Sequence, residues 1–460
     1  LYKPAQAGQD KPEAEKQPDF PYQMIKAARR IVEKLRLHGY EAFFAGGWVR
    51  DHLLRRKPKD VDIATSASPN DVLRLFPRSI AIGAQFGVIQ VRLYGQTYEV
   101  ATFRRDNDYL DGRHPSSVEF SSPEQDALRR DFTINGLFYD PIADRLIDYV
   151  HGRNDIQKKV IRTIGDAATR FSEDKLRMLR AIRLSCSLGF TIAPGTWSAL
   201  KELAPQILQV SWERIRDELA KLFTGPSAGG GLNLLHESGL LYRILPEVEA
   251  MKGTRQSCNA SADDDVFVHT RTMLDMLQKP SPALAFGTLL HDVGKAFTRT
   301  NEPDQKIEEH AALGAGISRD ICRRLRMSNE EIDRIADLVS THMNLQQIND
   351  MRESARRRLL CRPHIEEHLE LLRVNHLTSN KKLDLYWDCV RKIEEYESAP
   401  APAPLLNGDD LLRLGYAPGP IFNRILQTVE DLQFEHVLET KEEAVEHVKA
   451  VFPFSGKTQP

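Results

Sequence analysis

Apolar–polar alternation, the mark of strands, is confined to the first third of the chain, and the three-to-four-residue period of amphipathic helices dominates after about residue 161. Such a chain cannot close one continuous sheet, so the pattern predicts a small α/β unit followed by a mainly helical remainder, an α+β organisation. Residues 25–37 have helical spacing and stop at Gly39, which suits a left-handed C-cap. Strands are expected at 41–45 and 61–65, a short helix at 48–55, and a helix through Phe76 that starts from Ser68 and Pro69. Residues 88–93 and 98–103 read as a hairpin turning at Gly95, unlike the regular βαβ repeats of a doubly wound sheet. Later helices are expected at 175–187, 213–223, 330–342 and 364–374, with Gly-, Asp- or Pro-rich breaks at 225–231, 253–265 and 398–404. At 460 residues, several domains of roughly 100–200 residues are expected, after an N-terminal arm (1–23) too rich in Lys, Pro, Gln and Glu to fold.

The balance of 63 Lys+Arg against 65 Asp+Glu excludes a whole-protein basic field, so any nucleic-acid site has to be a local patch. Such patches stand at Arg55, Arg56, Lys57 and Lys59, at Arg129 and Arg130, at Arg323, Arg324 and Arg326, and at Arg356, Arg357, Arg358 and Arg362. The five cysteines form no CxxC pair, which argues against a zinc ribbon or disulfide framework and fits a reducing cytoplasm. No apolar run approaches the roughly 20 residues of a spanning helix, so no membrane partner is expected.

Asp60 and Asp62 flank Val61 in a strand-like run, and side chains two apart on a strand project to one side. Paired hard oxygen ligands suit Mg²⁺, and joining a 3′-hydroxyl to an α-phosphate uses two such ions, one on the attacking oxygen and one on the leaving pyrophosphate. Glu99, on the 98–103 strand, offers a third acid. Gly46 and Gly47 lie between a strand and a helix, where backbone N–H groups can cradle phosphate, and Arg50 and Asp51 follow on that helix.

The run AGGWVRDHLLRRKPKDVDIATSASP, followed in order by IGAQFGVIQV from Ile82, YEVATFRRD from Tyr98, DGRHP from Asp111, RRDFTINGLFYDP from Arg129 and EDKLRMLRAIR from Glu173, resembles the class II tRNA nucleotidyltransferase and bacterial poly(A) polymerase family. The resemblance implies a small polymerase-β-like nucleotidyltransferase head at 24–160, a helical neck reading the base at 161–225, a helical body at 226–362 and a tRNA-binding helical tail at 363–460. It makes Asp60 and Asp62 the ligands of two Mg²⁺ ions, with Glu99 the third catalytic acid. It places Arg129 and Arg130, with Asp131 and Asn135 of the same run, at the nucleotide. Partners would be CTP and/or ATP and the tRNA acceptor arm. Complete CCA addition, addition of the terminal A alone, and poly(A) synthesis all occur in such a family. The loop 105–115, with Arg105, Asp106, Asp111 and Arg113, resembles a flexible element that CC-adding relatives lack.

Asp174 and Arg177 lie three apart on a predicted helix and share a face. Cytosine and adenine each set an amino donor beside an unprotonated ring nitrogen, whereas uracil and guanine present a carbonyl beside an N–H. A carboxylate with a guanidinium therefore fits the first two and repels the others. The resemblance gives this pair the templating role, with Glu173 and Arg180 in support; Arg183-Leu184 stands where relatives have Arg-Phe. Farther on, His269, His291-Asp292 in LLHDVGK, His310 and His342 resemble the HD phosphohydrolases, whose His and Asp side chains hold metal. That resemblance offers a metal-dependent phosphohydrolase as a function of another class. Asn375 replaces the final acidic ligand, which should weaken cation binding.

Overall fold

The computed structural model describes residues 20–81, 87–106, 118–256, 265–298, 306–379, 382–398 and 402–453. They fall into two units, one of Leu1–Leu222 with Leu234–Ile244 and one of Phe223–Asn233 with Leu245–Pro460.

The first unit holds strands β1 (Ala42–Ala45), β2 (Asp62–Thr65), β3 (Ser79–Ile80), β4 (Val88–Leu93), β5 (Gln96–Thr102), β6 (Arg104–Asp106), β7 (Val118–Phe120), β8 (Leu137–Asp140) and β9 (Arg145–Asp148). Seven of them form one mixed sheet in the order β3-β4-β5-β2-β1-β8-β9; only the β2–β5 pair is parallel, and β6 and β7 make a separate ladder. Phe43, Phe103 and Phe138 lie in one buried cluster with Ala64, Ala127 and Ile164. Phe44 meets Trp48 edge-on at 4.8 Å between ring centroids.

Local chemistry sets the boundaries of these elements. Helix Phe20–Leu37 ends in a Schellman motif: Gly39 N–H donates to the Arg36 carbonyl and Tyr40 N–H to the Leu35 carbonyl, with Gly39 at φ 84°. The helix begins inside the arm expected to lack structure, and Pro21 sits in its first turn, where a missing N–H is no loss. Ser68 caps Pro69–Leu75 with a full capping box. Tyr94 and Gly95, both at positive φ, form the two-residue turn between β4 and β5.

Beyond the sheet, Val160–Ile161 pairs in parallel with Thr191–Ile192, which brackets helices Ala167–Glu173 and Leu176–Leu188. The expected break at 225–231 is instead largely helical, since helix Ala228–Glu237 runs through its glycines. A Cβ on Gly229 would fall 2.1 Å from the Arg271 carbonyl oxygen, so this glycine serves close packing rather than a hinge.

In the second unit, Met273, Leu284, Leu338, Leu371 and Val374 form one cluster. Helix Ile365–Thr378, which the sequence places in the tail, supplies the last two and so packs with helices Val266–Met276, Pro282–Leu290 and Asn329–Thr341. Helices Gly408–Arg413, Pro420–Phe434 and Lys441–Val451 enclose a separate core that includes Leu411, Tyr416, Ile425 and Val448. Among the described residues no helix is long and apolar enough to cross a membrane.

Candidate active site

Register places the first pieces of the site. Ala45 pairs with Asp62, so the turn that follows β1 lies beside the carboxylate that opens β2. That turn needs Gly46, whose φ of 66° and ψ of −131° are closed to other residues. A Cβ there would stand 3.2 Å from Arg130 Nη1 and 3.7 Å from Asp62 Oδ2. Gly46 N–H is bonded to the Leu137 carbonyl at 3.3 Å, so this amide holds the turn in place.

A cavity of about 790 Å³ opens here, with Gly46, Gly47, Arg50, Asp51, Asp60 and Asp62 in its lining. Arg129, Arg130, Asp131, Asn135, Asp174, Arg177 and Arg180 line it as well, and Arg56, Lys57, Lys59, Arg183, Leu184 and Arg214 complete much of the remainder. Of the acids expected from sequence, Glu99 is not in this lining. It is felt through charge: the Asp62 carboxyl is pushed up to about 6 by burial, then by the neighbouring Asp60 and Glu99 charges, with Arg130 pulling the other way. The three acids are not among the groups whose ligand atoms all lie within 4.8 Å of one another. Asp111 and Arg113 lie outside the described residues. Arg105 is described, on β6 facing Glu119 of β7; Asp106 ends β6.

The basic wall is built on buried acids. Arg129 and Arg130 each donate two hydrogen bonds to Asp126, which is 1% exposed, Arg129 to Oδ1 at 2.9 and 2.6 Å and Arg130 to Oδ2 at 3.2 and 2.9 Å. Burial alone would raise this carboxyl, but the two guanidiniums hold it below its usual value. Asp126 was not singled out in the sequence, although its spacing of three and four residues from the two arginines on a helix is a readable signal.

A second chain of bonds runs from Asp51 through Arg50 to Asn135 (2.8 Å), then to Asp131 (3.1 Å) and on to Arg180, whose Nε and Nη2 both reach Asp131 Oδ2 at 2.9 and 2.6 Å. Burial opposes ionisation of Asp131, yet Arg180 and Asn135 hold it down to about 2.

The expected shared helical face of Asp174 and Arg177 is absent, because Asp174 interrupts the helix. It is extended, at φ −145° and ψ 104°, between Ala167–Glu173 and Leu176–Leu188, and its Oδ1 accepts the Leu176 N–H at 3.1 Å. Both residues still face one cavity. Arg177 is tied to Glu173 at 2.5 Å and to the Arg170 carbonyl at 2.9 Å. Asp174 is gripped by Arg214, at 3.2 Å to Oδ1 and 2.8 Å to Oδ2. Arg214 lies 40 residues away, and nothing local in the sequence announces it.

In the second unit His269, His291, Asp292, His310 and His342 are all buried and form two ligand groups that share Asp292: His269–His291–Asp292 and Asp292–His310–His342. Asn375 hydrogen-bonds His269. Burial is the main cause that holds His269 down to about 3 and lowers His342, so both imidazoles are neutral at neutral pH. Nδ1 of His291 donates to the Thr288 carbonyl at 2.8 Å and Nδ1 of His342 to the Val339 carbonyl at 2.7 Å, which leaves the neutral His342 ring a lone pair on Nε2. The Nε2 atoms of His269 and His291 have no hydrogen-bond partner.

Three families match successive stretches of the chain: the poly A polymerase head domain over residues 42–162, the "probable RNA and SrmB- binding site of polymerase A" over 189–252, and the HD domain over 266–374. The CCA-adding enzyme of Geobacillus stearothermophilus is 48% identical over 217 residues, which are 47% of this chain and 54% of that one. That of Leuconostoc citreum is 43% identical over 225 residues, 49% and 55% of the two chains. The chain therefore spans about half the length of the curated relatives it matches. The crystal structure of the Bacillus stearothermophilus CCA-adding enzyme in complex with CTP superposes with a TM-score of 0.70 at 28% identity, covering 94% of this chain and 98% of the other. The Thermotoga maritima CCA-adding enzyme complexed with tRNA shares the fold, with a TM-score of 0.57 at 18% identity over 93% and 95% of the two chains. The order of the matches, the motifs lining the cavity and these likenesses agree, and the chain carries a poly A polymerase head domain, the RNA-binding segment of polymerase A and an HD domain, and is similar to CCA-adding enzymes.

Proposed function

We propose that the chain is a template-independent nucleotidyltransferase that builds or repairs the 3′ CCA end of tRNA from CTP and ATP. The observation that carries this reading is one cavity lined by Asp60 and Asp62 together with Arg129, Arg130, Asp174 and Arg177. Carboxylates for the chemistry, guanidiniums for the phosphates and an edge-reading pair for the base thus share one space.

The acids fit a divalent cation through their charge. Burial and two neighbouring acids make a bare Asp62 carboxylate unfavourable, a repulsion that Mg²⁺ relieves. Asp60 and Asp62 would hold two such ions, which when bound activate the attacking 3′-oxygen and stabilise the leaving pyrophosphate. Arg129 and Arg130, fixed by Asp126, present donors to the triphosphate. Asp174, oriented by Arg214, accepts from the amino group of cytosine or adenine, and Arg177 donates to the ring nitrogen beside it. Uracil and guanine would set a carbonyl against the carboxylate and an N–H against the guanidinium.

The test offers CTP or ATP singly to tRNAs that end before CCA, after C and after CC. CTP is expected on the first two and ATP on the third. Extension of the CC end alone would make the chain an A-adding enzyme, and runs of A on any RNA a poly(A) polymerase. No transfer to any of them would refute the reading.

For the second unit we infer a cation site rather than a working phosphohydrolase. Four histidines and one carboxylate suit a transition ion, whereas Asn375 removes one anionic ligand. The expected result is neither opening of a 2′,3′-cyclic phosphate on a tRNA end to a monoester nor release of phosphate from that monoester when Mn²⁺, Co²⁺ or Ni²⁺ is added. Turnover that His342→Ala abolishes would establish the hydrolase.

A further inference from the structure

At one rim of the seven-stranded sheet two neighbouring strands differ in length. β3 pairs with β4 through Ser79–Val91 and Ile80–Gln90, whereas β4 runs on to Leu93 before the turn at Tyr94 and Gly95. Arg92 and Leu93 therefore have a strand on one side and none on the other among the described residues, and a cavity of about 470 Å³ opens where β3 stops. Arg78, Arg92 and Tyr94 are in its lining.

Charge in this notch is unbalanced. The Ser79–Val91 pair sets Arg78, one residue earlier, across from Arg92, and like charges that face each other across a sheet repel. Both side chains are exposed, neither has an ion pair or hydrogen bond among the described residues, and no described carboxylate lines the cavity. Tyr94 is unusual in the same place. It is 65% exposed and holds φ at 50°, a conformation that Asn or Gly adopts more readily in such a turn. Arg30 of helix Phe20–Leu37 lies over the ring at 5.2 Å and donates to its hydroxyl, which steadies a ring that stays mostly in solvent.

Register relates the notch to the acids. Ile63 pairs with Val100, so Asp62 and Glu99, one residue back on each parallel strand, stand side by side on the sheet face opposite those two buried residues. Gln90 pairs with Glu99 and Arg92 with Thr97, which puts Arg92 on the same face as Glu99 and two strands from Asp62, about 10 Å at the usual strand spacing. Arg78, Arg92 and Tyr94 are nonetheless outside the lining of the 790 Å³ cavity.

We propose that this notch is an auxiliary RNA site, in which a backbone phosphate lies between the Arg78 and Arg92 guanidiniums and an unpaired base stacks on Tyr94. On the tRNA reading given above, which supplies the choice of ligand, the RNA held there is the tRNA whose end the acids extend. Guanidiniums match phosphate oxygens, and a base on an aromatic ring is a sequence-tolerant contact, so the site grips RNA without choosing nucleotides. A free nucleotide offers the same two groups, and the experiment separates the two sources.

The full chain is titrated with fluorescent tRNA ending before CCA, at several salt concentrations, beside the double variant Arg78→Gln with Arg92→Gln. Exposed charge pairs contribute little each, so the double variant should bind about 3–20-fold more weakly. Loss of one phosphate contact should also make the slope of log affinity against log salt shallower by about 0.7–0.9, a change that mere loosening of the fold does not produce. Tyr94→Asn, which suits the turn, should weaken binding by at least about 5-fold, and Tyr94→Phe should keep most of the affinity. In CTP transfer the double variant should raise the KM for tRNA and leave kcat and the KM for CTP unchanged. Equal tRNA affinity and salt slope in wild type and double variant would overturn the proposal. So would a second CTP per chain in equilibrium dialysis without RNA, bound by wild type and lost in the double variant, which would give the notch to a free nucleotide. If wild type binds tRNA but transfers nothing, the function proposed above fails while the salt slope still decides the notch.

Discussion

Replacing Arg214 by Met removes both hydrogen bonds to Asp174 while keeping an apolar stem of similar length. Bonds to a charged group are worth roughly 1.5–3 kcal/mol each when well shielded. Here the side chains are 22% and 16% exposed, so solvent screens part of that, and the Leu176 N–H still holds Oδ1. About 1–2 kcal/mol of positional restraint on the carboxylate is therefore at stake. If Asp174 reads the amino group, cytidine transfer should slow by about 5–30-fold, since 1.36 kcal/mol is tenfold in rate. Uridine presents no amino group and has nothing to lose, so the CTP-to-UTP ratio should fall by the same factor. Single-turnover addition of all four nucleotides, to tRNA ending before CCA and to tRNA ending in CC, measures both. The double variant Asp174→Ala with Arg177→Ala should relax discrimination further, and adding Arg214→Met to it should change little, because the residues act as one unit. An equal slowing of all four nucleotides with the ratio intact would refute the reasoning and leave Arg214 a purely structural brace.

Asp60→Ala and Asp62→Ala should each abolish nucleotide addition while leaving the circular dichroism spectrum and tRNA binding in place, because on the proposed function these side chains would hold ions rather than pack a core; substantial residual transfer by both would sink the metal assignment. Gly46→Ala should lower stability by about 1–3 kcal/mol in urea melts, through the positive φ and the 3.2 Å approach of Arg130, and a neutral result would mean the turn can relax. Asp131, held to about 2 against a usual 3.8, contributes about 2 kcal/mol of stability that is fully present above about pH 4 and lost as the pH falls through 2; the stability gap between wild type and Asp131→Asn should therefore narrow on acidification below pH 4, and a constant gap would contradict the depressed value.

Although β3, β8 and β9 of the sheet were not expected, strands β1, β2, β4 and β5, the hairpin at Gly95, the Ser68 cap and the Gly39 terminus were legible because each rests on chemistry local in sequence. So was the meeting of Gly46 with Asp62, through motifs that only a family resemblance could join across the intervening residues. The misread features have two causes, a local side-chain bond in one case and tertiary contact in the others. Helical periodicity carried the expectation straight through Asp174, but the Asp174 side chain bonds the Leu176 N–H and breaks the helix there. Three consecutive glycines looked like a hinge until the Arg271 carbonyl took the space beside Gly229. Arg214 and Asp126 became visible as parts of the site only when their partners were placed. The five HD-type residues were found by motif alone, while their grouping into two sets that share Asp292 needed the fold.

The bonds that run from Asp51 to Arg180 join the short helix Gly47–Leu53, which lies beside the proposed catalytic acids, to helix Leu176–Leu188, and Arg56 adds a second tie by donating to the Ser187 carbonyl at 2.9 Å. On the proposed function these links act as a gauge block between the place of chemistry and the place of base reading. A pyrimidine and a purine differ in width by a ring, and a frame of fixed length cannot stretch to suit each. On the proposed function the difference has to be taken up by the RNA, whose last nucleotide would sit deeper or shallower against the incoming base as the end grows. The order C, C, A would then be kept by the length of the tail already made, with the protein serving as the fixed jaw of a caliper and the RNA as the moving one.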